Sequence, residues 1–197
     1  MSKTIELSRK DILDKLPSSW AEVTYSDYYD KILKIIPEYE DNSLLYAVDS
    51  YIKVAAVFLD LSPEIIGEFP ITIINDITGK LSFVLTKPVP LEKTKYNWMT
   101  KVEEPTYDMF ILYLKVNEKL EKGDFSNLHT VLKAICNDKL TDEEIFNMPM
   151  DEAETGFFLL RKSMVKYLKR MALSLALKSG KKELKRKVSR LIRFKKT

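Results

Sequence analysis

The sequence predicts a mostly α protein: two related helical subdomains, a short extended or β element in the linker between them, and a long C-terminal helix. Three observations predict it. Apolar residues recur at three- and four-residue spacing in successive stretches. Ser or Thr stands just ahead of several of these runs and Pro closes them. The 197 residues include only five Gly and eight Pro, too few for a many-turned all-β chain or a low-complexity one. With 45% hydrophobic and 31% charged residues, the chain has the means to bury a core.

Residues 1–15 are read as an N-terminal arm that is charged and lacks the apolar stretch of a signal peptide. The first helical subdomain covers 16–85. In it Thr24 is placed as the N-cap of a helix running through Tyr28, Ile32, Leu33, Ile35 and Ile36, with Asp27 standing in for the capping-box acid and Pro37 ending the helix. Leu44, Leu45, Val48, Ile52, Ala55, Ala56, Phe58 and Leu59 then give a helix with one broad apolar face. Ser62 caps a short helix with Pro63 at its first position and Glu64 in its first turn, and Pro70 stops it. Ile73, Ile74, Ile77, Leu81 and Val84 place another helix within 71–85. The β-branched content leaves a strand reading of Lys80 to Leu85 open.

The stretch 86–105, with Pro88, Pro90 and Pro105 and no helical period, reads as an extended linker. Within it Tyr96 to Met99 could form a short strand paired with another extended piece.

The second helical subdomain, 106–160, echoes the first. Thr106-Tyr107-Asp108-Met109-Phe110 matches Thr24-Tyr25-Ser26-Asp27-Tyr28 at an offset of 82. Leu140 to Met150 matches Leu61 to Ile71 at an offset of 79, with four identities in eleven positions. The matched sites are helix punctuation: a Leu, a Ser/Thr cap, an acidic first turn and an apolar-Pro-apolar stop. Any two capped helices share part of that pattern, so both a duplication and a chance likeness fit the letters.

A long helix follows over Asp151 to Lys178, its continuation 161–178 lying beyond the second subdomain, and Ser179-Gly180 stops it. The last segment, 179–197, is a basic amphipathic tail with Leu184, Val188, Leu191 and Ile192 along one side.

Charge is divided very unevenly. The net +3 hides a C-terminal stretch, 157–197, with 15 Lys/Arg and the single acid Glu183, against 17 bases and 28 acids in the rest. The candidate binding residues are therefore Lys181, Lys182, Lys185, Arg186, Lys187, Arg190, Arg193, Lys195 and Lys196. Nucleic acid, an anionic membrane and an acidic protein surface are all eligible partners, and so is the chain's own acidic body. Only Phe194 follows Tyr167 as an aromatic suited to base stacking, which disfavours sequence-specific reading of single strands and leaves non-specific DNA contact through the tail.

Catalytic, cofactor and metal sites are expected to be none. No Gly-rich phosphate loop, nucleophile elbow, HExxH or EF-hand loop occurs. His129 and Cys136 are seven residues apart, roughly 10 Å of helical rise, so the two cannot meet on one helix. One Cys and one His cannot build a zinc site within the chain. Asp142-Glu143-Glu144 and Asp151-Glu152 with Glu154 fall in first turns, where carboxylates complement the helix dipole. Phe157-Phe158 and Met148, Met150, Met164 and Met171 read first as core, and second as an adaptable partner groove. No apolar run reaches the roughly 20 residues of a membrane span.

Several segments together resemble a known family. They are Leu16-Pro17-Ser18-Ser19-Trp20-Ala21-Glu22-Val23-Thr24, then Val57 to Glu64 with Phe69-Pro70, and Met148-Pro149-Met150-Asp151 with Gly156-Phe157-Phe158-Leu159. The resemblance is to the tail-assembly chaperones and related small morphogenesis or neck proteins of tailed bacteriophages, especially those infecting gut Bacteroidetes. It spans 16–160 and leaves the basic end outside.

The resemblance implies a non-enzymatic phage assembly or virion structural protein, a tail-assembly chaperone or a neck/connector component. It implies tail, portal or capsid proteins as partners, a homo-oligomeric ring, and a location in the host cytoplasm during assembly and in the virion. The basic tail departs from what a soluble chaperone requires. The alternative expectation is a DNA- or membrane-associated helical protein that uses the tail as its primary binding element.

Overall fold

Short side chains that satisfy nearby backbone groups set the helix starts of this chain. A computed structural model describes residues 8–36, 44–99, 107–121 and 128–179, and they are mostly helical. They fall into two compact units that interleave along the chain. One comprises the chain up to Leu91 together with Phe146–Glu154, and the other comprises Glu92–Ile145 and the chain from Thr155 on.

In the first unit, α1 (Arg9–Lys15) opens on a capping box: Ser8 Oγ accepts from the Asp11 N–H at 3.2 Å and Asp11 accepts from the Ser8 N–H at 3.3 Å. The segment read as an arm therefore contains a helix, and Ile12 buries its inner side. Arg9 pairs with Asp76, and the Lys80 ammonium donates to the Leu13 carbonyl.

Thr24 caps the next helix as the sequence implies, its Oγ1 accepting from the Asp27 N–H at 3.1 Å. Its hydroxyl donates in turn to the Asp27 carboxylate at 2.8 Å. This helix, α2, starts with a π-helical segment, Asp27–Ile32, and tightens to an α turn, Leu33–Ile35. Pro37, expected to end it, lies outside the described residues.

The central helix of the unit is α3 (Leu44–Leu59), against which α4 (Pro63–Gly67) and α5 (Ile71–Lys80) pack. Its buried side is Ser50, Val54, Ala55 and Leu59. It ends on Asp60 at φ 55°, with the Leu61 N–H reaching back to the Ala56 carbonyl at 3.1 Å, a Schellman closure with Asp at the left-handed position. Ser62 then caps α4 through the Ile65 N–H.

After α5 the chain forms a 3-10 turn, Ser82–Leu85, which replaces the strand left open over Lys80 to Leu85. The Leu81 N–H still bonds to Ile77 and the Val84 N–H to Leu81, so the backbone stays coiled and buries Leu81 and Val84. Residues 148–150 belong to this unit because they are stitched to 23–25. The Tyr25 N–H donates to Met148 at 2.7 Å and the Met150 N–H to Val23 at 2.8 Å.

The second unit holds α6 (Tyr107–Glu121), packed on α7 (Leu128–Ile135), then α8 (Asp142–Phe146), whose last residue belongs to the first unit. It also holds the greater part of α9 (Met150–Ser179). Leu128, Val131, Leu132 and Ile135 bury one face of α7. The short strand expected at Tyr96 to Met99 reduces to a single antiparallel bridge between Trp98 and Cys136. Two hydrogen bonds frame it, from the Met99 N–H to Ile135 at 2.8 Å and from the Asn137 N–H to Asn97 at 2.9 Å. Thr141 and Glu144 form a second capping box, the carboxylate accepting from the Thr141 N–H at 2.7 Å and hydroxyl at 2.9 Å. Thr106 and Gly180, cited above as cap and stop, lie outside the described residues.

The cap carboxylates tie stability to pH. The Ser18 N–H, at 2.6 Å, and the Ser18 hydroxyl, at 3.0 Å, hold the Glu22 carboxyl below the usual glutamate range. The Thr141 N–H and hydroxyl do the same for Glu144. A carboxyl depressed in the folded state contributes fully above its unfolded pKa and ceases to contribute as pH falls through its folded one. Urea midpoints should therefore fall on the acid side of the ordinary glutamate range, and Glu22→Gln with Glu144→Gln should flatten that fall while lowering the midpoint at neutral pH. Equal acid slopes for variant and parent would contradict this.

Candidate functional site

The binding residues expected from the sequence, Lys181, Lys182, Lys185, Arg186, Lys187, Arg190, Arg193, Lys195 and Lys196, lie outside the described residues. The described basic surface nearest to them in sequence is on α9. Its inner face is apolar, with Ala153, Phe157, Leu160 and Met164 buried at spacings of four, three and four.

The outer face carries Phe158, Arg161, Lys162, Val165, Lys166 and Lys169, at steps of three or four or side by side, and these line one shallow groove. The cations on it are exposed. Phe158 remains 40% exposed, and the Lys162 ammonium stands 5.8 Å from its ring centroid. Further along, Met171 and Leu173 are also exposed, beside Arg170. Among the described residues none of Arg161, Lys162, Lys166 and Lys169 is ion-paired.

The groups that invited a chemical reading have structural work. Cys136 is buried, with Sγ 3.7 Å from the Asp138 carboxylate, and burial pushes its thiol up, away from a reactive thiolate. Asp142 is held below the usual carboxylate range by the Lys133 ammonium at 2.8 Å. Glu144 belongs to its cap, and Asp151 accepts from the Glu152 N–H at 2.8 Å. Among the described residues no group of three or more His, Cys, Asp or Glu gathers as a metal site. None of the described helices is long and apolar enough to cross a membrane.

Met148, Met150 and Met164 are core, as is Phe157, whereas Phe158 faces outward and Met171, in line with Met164 two turns further along α9, is exposed. Reading Phe157-Phe158 as one feature misses that adjacent residues on a helix point about 100° apart. The outer face of α9 was also missed, although its three- and four-residue spacing of cations is written in the sequence. The charge after Lys178 is denser still and outweighs it in the letters.

Comparison with family models, curated proteins and solved structures finds no match to this chain.

Proposed function

We propose that this chain is a non-enzymatic assembly or structural protein of a tailed-phage particle, a tail-assembly chaperone or neck/connector component. It acts by protein–protein association, at work in the host cytoplasm during assembly and carried into the virion in the connector case. The observation that carries the reading is the outward face of α9, where exposed apolar side chains stand among cations that make no ion pair among the described residues. A solvated helix face needs no Phe158 or Leu173 exposed, and apolar side chains rimmed by charge are the usual form of a docking surface. The face leads in sequence into the basic run after Lys178, which adds electrostatic attachment. The segments resembling tail-assembly chaperones supply the phage context.

The test is affinity purification of the tagged full-length chain from phage-infected host cells at mild salt, split into nuclease-treated and untreated halves. Tail, portal or capsid proteins should be recovered in both halves. Reversing Lys185, Arg186, Lys187 and Arg190 to Glu should lower that recovery at least tenfold at low salt. Recovery confined to the untreated half would overturn the reading in favour of nucleic-acid binding.

A further inference from the structure

We propose that the partner seated on the outward face of α9 engages it with an acidic amphipathic helix, apolar along its midline and lined with Asp or Glu on both flanks. This rests on the reading of that face as a docking surface and names the chemistry of its occupant.

One support is charge that the helix does not balance along its own length. From Phe157 to Ser179 there is no acidic residue, and the cations stand on one another's neighbouring turns. Lys162 and Lys166 are four apart, as are Lys166 and Arg170, while Lys166 and Lys169 are three apart. Like charges at these spacings repel. They also lie in the middle of α9, short of the last turn, where the helix dipole would favour them. Carboxylates brought by a partner would turn each repulsion into an attraction.

The other support is the arrangement around the helix. At about 100° per residue, Val165 lies about 20° from Phe158 and two turns, roughly 10 Å, along the axis. Arg161 stands about 60° to one side of Phe158, with Lys162 and Lys166 about 40° and 80° to the other. Phe158, 40% exposed, and Val165, half-buried, therefore form an apolar midline with cations on both flanks. A helix with an apolar residue every second turn and acids three and four residues on from each presents the complement at the same pitch.

A phosphate backbone would pair the cations but leave the ring and the aliphatic side chain uncovered. A lipid surface draws on a continuous apolar side, and Phe158, Val165 and Leu173 supply only one such residue in about two turns.

Fluorescence anisotropy with the full-length protein tests this. The probe is a labelled, Ala-based synthetic helix of about 20 residues, with Leu at every seventh position and Glu three and four residues after each Leu. One control peptide carries Gln for every Glu, and another carries Ser for every Leu. The parent peptide should bind at least tenfold more tightly than either control, and roughly tenfold more tightly at low than at high salt. Lys162→Glu with Lys166→Glu should weaken it at least tenfold, and Phe158→Ser severalfold. Circular dichroism checks that the variants fold, and Lys162→Gln with Lys166→Gln replaces the reversal if that one does not, with a severalfold loss expected.

An unbound parent peptide, a control that binds as well, or binding untouched by the α9 substitutions would overturn the proposal. So would duplex DNA or phosphatidylglycerol vesicles that bind more tightly than the peptide and lose that binding in the α9 variant.

The α9-reversed variant, used as bait in infected cells, keeps the two failures apart. Phage proteins recovered by the wild type and lost from this variant, with the acidic peptide unbound, would leave the docking face standing with a partner of other chemistry. Unchanged recovery by the variant would remove the docking face itself.

Discussion

Gly156→Ala should lower stability by about 2 kcal/mol, with an unfolding midpoint down by roughly 4–8 °C. Gly156 lies inside α9, where an alanine would ordinarily favour the helix by about 1 kcal/mol. Space reverses the sign. A Cβ at this position would stand 2.9 Å from Trp98 Cζ3, 3.0 Å from Trp98 Cη2 and 2.9 Å from Leu132 Cδ2. Trp98 has no freedom to retreat, since it is 2% exposed and its indole N–H donates to Thr94 Oγ1 at 2.9 Å. Its backbone is also held in the bridge to Cys136. Leu132 is fully buried. Gly79→Ala supplies the control, because nothing lies within 4 Å of a Cβ there and the position is exposed within α5. That variant should gain up to about 1 kcal/mol. Thermal and urea unfolding of the two should move in opposite directions, and a Gly156→Ala variant as stable as the parent would show that the indole is free to shift.

The contrast shows which interactions a sequence makes legible. Ser62, Thr24 and Thr141 were readable as caps because each bonds a backbone N–H three residues on, so the whole interaction fits within one turn of chain. The helix over Leu44–Leu59 was readable because its apolar period survives whatever it packs against. The close approach at Gly156 joins residues 98, 132 and 156, and no local pattern distinguishes this glycine from Gly79. The stitching of Val23 and Tyr25 to Met148 and Met150 has the same non-local character. It also places 146–154 in the first unit, whereas the offset match aligned 146–150, within the second half, with 67–71. Propensity alone likewise gives no sign that Asp27–Ile32 winds as a π-helix, because side-chain packing rather than residue type selects that geometry. On the candidate site, the charge excess after residue 156 was plain from the letters, whereas the sorting of Phe157 inward and Phe158 outward needed the helix phase.

Ile66→Ala and Ile145→Ala should each cost about 3 kcal/mol, the loss expected when a fully buried isoleucine is cut back to a methyl group. These positions correspond at the offset of 79, and both side chains are wholly buried although they belong to different units. Each sits in a five-residue helix, α4 or α8, just after a hydroxyl cap. A helix so short has little stability of its own, so the single buried isoleucine must anchor it to the rest of its unit. The likeness of the two segments then includes one buried side chain at the same distance beyond the cap. Their neighbours should respond differently: Ile65→Ala and Glu143→Ala lie at exposed positions and should stay within about 0.5 kcal/mol of the parent. Urea unfolding of the four variants decides the matter. Loss of stability at Ile66 with none at Ile145 would mean that the second segment keeps the cap without the anchor, and that the two halves share turn chemistry but no common packing unit.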